Sequence, residues 1–129
     1  MIEWVIPNIL ARGCRPGYSG KVIKQATVDA WLADVHALGI RSVICLLAEE
    51  QLAFYSSLPT DLISYYRQAG LTVAPVPVCD RIKPPLSDED LVKVWAAYQK
   101  LPKPLLIHCS AGIDRTGMAI RRIQQKLQG

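Results

Sequence analysis

The segment from His108 to Gly117, which reads HCSAGIDRTG, contains a cysteine and an arginine that are separated by five residues. An apolar run, Leu105 to Ile107, precedes this segment, and apolar residues at helical spacing follow it from Arg115 onward. The intervening residues are therefore expected to form a strand-to-helix loop. Such a loop points several backbone N–H groups at one position near the positive end of a helix dipole, which suits a dianion such as phosphate.

The side chains of this loop suit phosphate chemistry. Arg115 offers a planar fork of donors that binds two phosphate oxygens at once, and Gly112 allows a tight backbone turn. The same positive surroundings favour the thiolate form of Cys109, which is the nucleophilic form. A buried structural thiol beside a surface arginine is the alternative interpretation. The sequence thus predicts a nucleophile and an anion-binding arginine at one phosphate site.

These residues resemble the signature of the cysteine-dependent protein tyrosine phosphatases: a His-Cys pair, five residues, an Arg, a Ser or Thr, and a Gly. Every fixed position of that signature is matched. The resemblance implies attack of Cys109 on phosphorus, hydrolysis of the cysteinyl-phosphate by water, and no metal or other cofactor. It also implies that His108 orders the loop, while Thr116 is placed to hydrogen-bond Cys109 and help it leave. The expected phosphate loop is Ser110, Ala111, Gly112, Ile113, Asp114 and Arg115.

A leaving alkoxide or phenolate requires a proton, and Asp80 is the first candidate for the acid. It follows the apolar stretch Leu71 to Val78 and begins a proline-containing loop, at the end of a strand where α/β folds place their ligands. In related dual-specificity phosphatases the acid lies on such a loop. Asp114 is the second candidate, because the myotubularin lipid phosphatases carry an Asp at that place. The alternative for Asp114 is an ion pair with Arg121 or Arg122.

The rest of the chain predicts the elements that position these loops. Helical and strand patterns alternate along the sequence, which favours a parallel sheet with helices on both faces. The expected elements are a helix over residues 27–38, a strand over 41–47, helical segments over 49–58 and 60–69, a strand over 71–78, and a helix capped by Ser87. Asp88 and Asp90 are explained as acids in the first turn of that last helix. Residues 1–129 are thus expected to form one compact α/β domain, which by the resemblance has the dual-specificity phosphatase fold.

The composition restricts the partners. The chain has 129 residues, 50% hydrophobic and 20% charged, with a net charge of +4, which is enough for one ordinary core and suits an anionic substrate. A nucleic-acid binder would show a basic stripe, so no nucleic-acid partner is expected. No apolar stretch reaches the length of a membrane span and no signal-peptide pattern is present, so the expectation is a cytoplasmic protein without a membrane partner. Four cysteines are expected as thiols, with Cys45 or Cys79 able to trap an oxidised Cys109 as a disulfide.

The resemblance also bears on the substrate. Tyrosine-specific members are longer and carry a tyrosine-bearing loop that deepens their pocket, so this chain is expected to hydrolyse phosphoserine and phosphothreonine as well as phosphotyrosine. Its phosphate loop has no lysine, which disfavours a highly charged inositol phosphate. The alternatives are a phosphate-binding module without turnover, and an RNA 5′-triphosphatase or lipid phosphatase that uses the same loop. Family members usually continue with another helix, so a monomer or weak self-association through an exposed apolar patch is expected.

Overall fold

A five-stranded sheet forms the centre of the protein, with strand order β1-β2-β5-β3-β4. The computed structural model describes residues 2–129. The strands are β1 (Ile2–Ile6), β2 (Leu10–Gly13), β3 (Ser42–Cys45), β4 (Thr72–Pro75) and β5 (Leu105–His108). The helices are α1 (Gln25–Ala37), α2 (Glu49–Leu52), α3 (Leu62–Gln68), α4 (Asp88–Lys100) and α5 (Asp114–Gln128), and a 3₁₀ turn spans Ala53–Tyr55. Strands β1 and β2 pair antiparallel and the other neighbours pair parallel, which confirms the predicted α/β class with a mainly parallel sheet.

The central strand β5 separates two hydrophobic cores. Its residues alternate between them: Leu106 packs with the side chains of α1 and α3, whereas Leu105 and Ile107 pack with those of α4 and α5. Because strand side chains point to opposite faces in turn, His108 belongs to the Leu106 face and Cys109 to the other. The side chains of His108 and Cys109, which are consecutive in sequence, therefore lie on opposite faces of the sheet.

The four parallel strands end at the same edge of the sheet, where α/β folds place their ligands. Backbone bonds fix the register of this edge beyond the strands themselves. Leu46 N donates to His108 O at 2.9 Å, and Val76 N donates to Cys45 O at 2.9 Å. The segments that follow β2, β3, β4 and β5 consequently converge on the residue after His108.

The structure differs from the sequence-based elements in several places. Strand β2 was not predicted, and β3 and β4 are shorter than the strands expected over 41–47 and 71–78. Strand β1 was not predicted, because its half-buried residues lack a clean alternation of apolar and polar side chains. The two helical segments expected between β3 and β4 are shorter than predicted, since α3 begins only after Asp61, whose side chain accepts a bond from Ser64 N at 2.9 Å. Helix α1 begins two residues before the expected Thr27.

The helix after the Asp80 loop begins as predicted. Ser87 caps α4, its side chain accepting from Asp90 N at 3.1 Å while the Asp90 carboxylate accepts from Ser87 N at 3.0 Å. No helix within residues 2–129 has both the length and the apolar character needed to cross a membrane.

Candidate active site

Cys109 lies at the floor of the loop between β5 and α5. Its side chain is 3% exposed, and its Sγ accepts a hydrogen bond from Gly112 N at 3.3 Å. A backbone donor at the sulfur stabilises negative charge there. The loop thus places a backbone hydrogen-bond donor at the sulfur of the predicted nucleophile.

Gly112 lies where the loop contacts the end of β2. Its φ is +79°, and a Cβ placed on it would lie 2.4 Å from Gly13 O. On the same side, Arg12 Nη2 donates to Gly112 O at 2.7 Å. The close approach of two backbones, together with the left-handed φ, therefore requires glycine at this position.

Arg15 supports the phosphate loop through hydrogen bonds to Ser110. It is 3% exposed, and both its Nε and its backbone N donate to Ser110, to Oγ and O respectively, at 3.0 Å. Its Nη2 donates to Gly20 O at 2.6 Å, and the guanidinium lies 5.0 Å from the centre of the Phe54 ring. The sequence interpretation missed Arg12 and Arg15 as supports of the loop, although two arginines close to the apolar run at residues 9–11 were a usable signal.

Arg115 is held along one edge of its guanidinium. The side chain is 2% exposed, and Nη1 donates to Leu46 O at 3.0 Å and to Val78 O at 2.8 Å. Nη2 lies 3.3 Å from the Asp80 carboxylate, and Nε has no hydrogen-bond partner within residues 2–129. The Nε edge is the one that remains for two oxygens of a phosphate.

These groups border one cavity of about 420 Å³, called here the catalytic cavity. It is lined by Tyr18, Asp80, Arg81, Cys109, Ser110, Ala111, Ile113, Asp114 and Arg115. Both candidate acids therefore lie beside the nucleophile. The pairing of Asp114 with Arg121 or Arg122 is not found, since Arg115 with Asp80 is the one ion pair that residues 2–129 form.

His108 is held as a neutral imidazole. Its Nδ1 lies 3.0 Å from Cys109 O and its Nε2 lies 3.0 Å from Tyr66 Oη. A carbonyl only accepts, so Nδ1 carries the proton and Nε2 accepts from the Tyr66 hydroxyl. Burial, reinforced by the charges of Arg115 and Arg15, lowers the pKa of His108 to about 4, while burial raises the pKa of Tyr66 well above its usual value. His108 thus tethers the start of the loop to α3.

Acid should destabilise the fold through His108. Its pKa in the folded state, about 4, is below its ordinary 6.5, so the unfolded chain binds a proton at a pH where the folded chain does not. The stability held by the neutral ring is complete above pH 6.5 and is lost as the pH falls toward 4, by about 3 kcal/mol in total. Denaturant unfolding near pH 7 and near pH 4.5 measures this loss, which should be smaller in His108→Gln. His36→Gln on α1 is the matched control, and equal losses in wild type and His108→Gln would contradict the expectation.

Two other expectations for side chains of the site differ from the structure. Thr116 is fully buried, but its Oγ1 has no hydrogen-bond partner in the described residues 2–129, so the expected bond to Cys109 is absent from this structure. Burial raises the pKa of Cys45 to about 12. Cys45 therefore remains a protonated thiol near neutral pH and is a poor partner for an oxidised Cys109. Cys79 is exposed.

Residues 84–128 match a sequence model described as the tyrosine phosphatase family. The matched segment contains α4, β5, the phosphate loop and the whole of α5. Comparison with curated protein sequences gave no match.

Solved structures resemble the whole chain. Kinase associated phosphatase (KAP), with its catalytic-site cysteine substituted by serine, has a TM-score of 0.72 at 19% identity, over 92% of this chain and 65% of that chain. The core catalytic domain of the PP-IP phosphatase SIW14 from S. cerevisiae, in complex with citrate, has a TM-score of 0.62 at 21% identity, over 93% and 62%. A putative phosphatase (DUF442) from Shewanella putrefaciens CN-32 has a TM-score of 0.65 at 20% identity, over 98% and 69%.

These comparisons agree with the geometry of the site. At such identities the structural similarity establishes the fold, and this chain spans less than two thirds of the length of the KAP and SIW14 chains. The segment that matches the family model is the one that carries the nucleophile and the arginine. The chain thus resembles the tyrosine phosphatase family in sequence over residues 84–128, and it has the same fold as the solved phosphatases KAP and SIW14.

Proposed function

We propose that the protein hydrolyses phosphate monoesters through a cysteinyl-phosphate intermediate. The observation that carries the proposal is the arrangement of three groups around the catalytic cavity. Cys109, the phosphate loop and Arg115 border the same space, and Arg115 Nε is buried without a protein acceptor within residues 2–129. A buried donor without an acceptor is costly unless a ligand satisfies it, and phosphate oxygens would do so.

The reaction would take two steps. Cys109 Sγ forms a bond to phosphorus while the ester P–O bond breaks, and the leaving oxygen takes a proton from an acid. Water then forms a new P–O bond, its proton passes to the same carboxylate, and the S–P bond breaks to release phosphate and the thiolate. Arg115 and the loop N–H groups stabilise the oxygens of the transferring group throughout.

Asp80 is the acid that we propose. Its side chain is 38% exposed, lines the catalytic cavity, and accepts bonds from groups of two other elements, Gln51 and Arg115. A bound phosphate dianion would engage Arg115, which leaves Asp80 to face the leaving oxygen. Asp114 also lines the cavity, as the first residue of α5, and is the alternative acid.

For the substrate we propose phosphotyrosine together with phosphoserine and phosphothreonine in proteins. Tyr18 borders the catalytic cavity and is 50% exposed. The chain has little room for the tyrosine-bearing loop that deepens the pocket of the longer tyrosine-specific phosphatases, and a shallower pocket would accept phosphoserine as well. The relative SIW14 is named a PP-IP phosphatase, which makes an inositol pyrophosphate the second candidate. Against it, the cationic side chains that line the catalytic cavity within residues 2–129 are Arg81 and Arg115, few for so many phosphates. Rates on phosphopeptides and on an inositol pyrophosphate, compared as kcat/KM, decide between the two classes.

The hydrolysis of p-nitrophenyl phosphate in EDTA tests the reaction. Activity should persist without metal and fall at least about 10⁴-fold in Cys109→Ser, because the hydroxyl is a far weaker nucleophile than a thiolate. Cys79→Ser, at an exposed cysteine, is the matched control. Loss of the basic limb of the pH–rate profile in Asp80→Asn, with the limb kept in Asp114→Asn, would identify the acid. A wild-type protein without turnover that still binds phosphate would instead indicate a binding module.

A further inference from the structure

The side chain of Gln51 joins the phosphate-binding arginine to the candidate acid. Gln51 lies on α2 and is 8% exposed. Its Oε1 accepts from Ala48 N at 3.1 Å and from Arg115 Nη1 at 3.0 Å, and its Nε2 donates to Asp80 Oδ2 at 3.1 Å. Because Ala48 N and Arg115 only donate, the oxygen of the amide must face them and the nitrogen must face Asp80.

Asp80 depends on this amide more than on any other group once substrate is bound. Apart from Arg81 N, which is the next residue of its own loop, its hydrogen-bond and ion-pair partners in residues 2–129 are Gln51 Nε2 and Arg115 Nη2. A phosphate on the Nε edge of Arg115 would also engage Nη2, which is the atom that contacts Asp80. The amide of Gln51 does not compete for phosphate, so it keeps Asp80 at the cavity while Arg115 turns to the substrate.

We propose that Gln51 is a positioning residue that holds Asp80 for proton transfer to the leaving group and that orients Arg115 at the same time. This inference rests on the proposed phosphatase function. The anchor is rigid, because the same oxygen that accepts from Arg115 is bound to the first turn of α2 through Ala48 N. The neutral amide is also the right chemical type, since it donates to the acid while accepting from the arginine.

A carboxylate at position 51 would still accept a hydrogen bond from Arg115, but it would repel Asp80 instead of donating to it. In Gln51→Glu the carboxylate oxygens could still accept from Arg115 and Ala48, but one of them would face Asp80 Oδ2 at about the 3.1 Å that separates it from the amide nitrogen. The other charged or titratable groups that line the cavity are Tyr18, Arg81, Cys109, Asp114 and Arg115. A second carboxylate so close disfavours ionisation of Asp80, so the basic limb of the pH–rate profile should move up by about one pH unit in this variant.

Gln51→Met removes the hydrogen bonds to Asp80 and to Arg115 at a similar side-chain length. Substrates with different leaving groups show whether the variant affects proton transfer to the leaving group. Phenolate needs a proton more than p-nitrophenolate does. Gln51→Met should therefore lose about tenfold or more in kcat/KM on phenyl phosphate and clearly less on p-nitrophenyl phosphate, as part of the roughly 10²–10⁴-fold that a general acid supplies. In an Asp80→Asn background the same change should leave the ratio of the two rates unaltered.

Glu50→Gln, an exposed neighbour on the same helix, is the matched control, and thermal unfolding of each variant reports its folding. Gln51→Met with the wild-type ratio of phenyl to p-nitrophenyl rates, or Gln51→Glu with an unmoved basic limb, would overturn the proposal while Cys109-dependent turnover still supports the phosphatase. Equal losses on both substrates give that same wild-type ratio and would limit Gln51 to orienting Arg115, which overturns its role in holding Asp80. Absence of Cys109-dependent turnover in the wild type would instead remove the proposed function itself.

Discussion

Replacement of Gly112 by alanine should cost at least about 10²-fold in kcat/KM and about 2–4 kcal/mol in the free energy of unfolding. The added Cβ would lie 2.4 Å from Gly13 O, and the φ of +79° is strained for any residue with a side chain. Relief requires that the loop move away from β2. That movement would break the bond from Gly112 N to Cys109 Sγ and the bond from Arg12 to Gly112 O.

A second glycine separates the two causes of this loss. Gly39 has a φ of +75°, and a Cβ placed on it would meet nothing within 4 Å. Gly39→Ala therefore carries the cost of the left-handed backbone without a clash, about 1–2 kcal/mol, and should retain turnover. Denaturant unfolding and steady-state kinetics on both variants provide the measurement. Equal stability losses in the two variants, with Gly112→Ala fully active, would show that the contact with Gly13 does not constrain the loop.

Arg115→Lys should lower kcat by about 10³-fold or more, although the charge is retained. An ammonium group lacks the second donor that a bidentate grip requires, and it cannot satisfy Leu46 O, Val78 O and a phosphate together. The inhibition constant of vanadate should rise in parallel, because vanadate takes the place of the transferring phosphoryl group. Arg121→Lys, at an exposed position on α5, is the matched control.

Retention of kcat within about tenfold in Arg115→Lys would contradict the assignment of the Nε edge to phosphate, since a single donor cannot replace two. A fall in stability without a fall in kcat would instead limit Arg115 to joining the ends of β3 and β4.

The sequence predicted those parts of the site that are set by short-range pattern. The loop at Cys109 could be located because an apolar strand and an amphipathic helix adjoin it, and the start of α4 could be located because Ser87 and Asp90 form a cap within about one helical turn. Chemical type and spacing singled out Cys109 and Arg115 as candidates without any knowledge of the sheet, and the structure brings both to one cavity.

The supports of the site could not be predicted in the same way. Arg15 and Ser110 are 95 residues apart in sequence, and Gln51 and Arg115 are 64 apart, so no local pattern links them. Their contacts follow from the strand order, which places the ends of β2 and β3 on either side of β5. Strand β1 was missed for a related reason, since its strand conformation depends on pairing with β2 more than on its own alternation.

The pairing of β2 with β5 also determines when the site can exist. The contact of Arg15 with Ser110 closes a loop of 95 residues, and closure of so long a loop must precede any stabilisation that it brings. During synthesis, Arg12 and Arg15 leave the ribosome long before the loop residues that they contact, Gly112 and Ser110. A nascent chain that has not yet released β5 and α5 therefore lacks the loop that Arg15 contacts, so the site can form only after α5 has emerged.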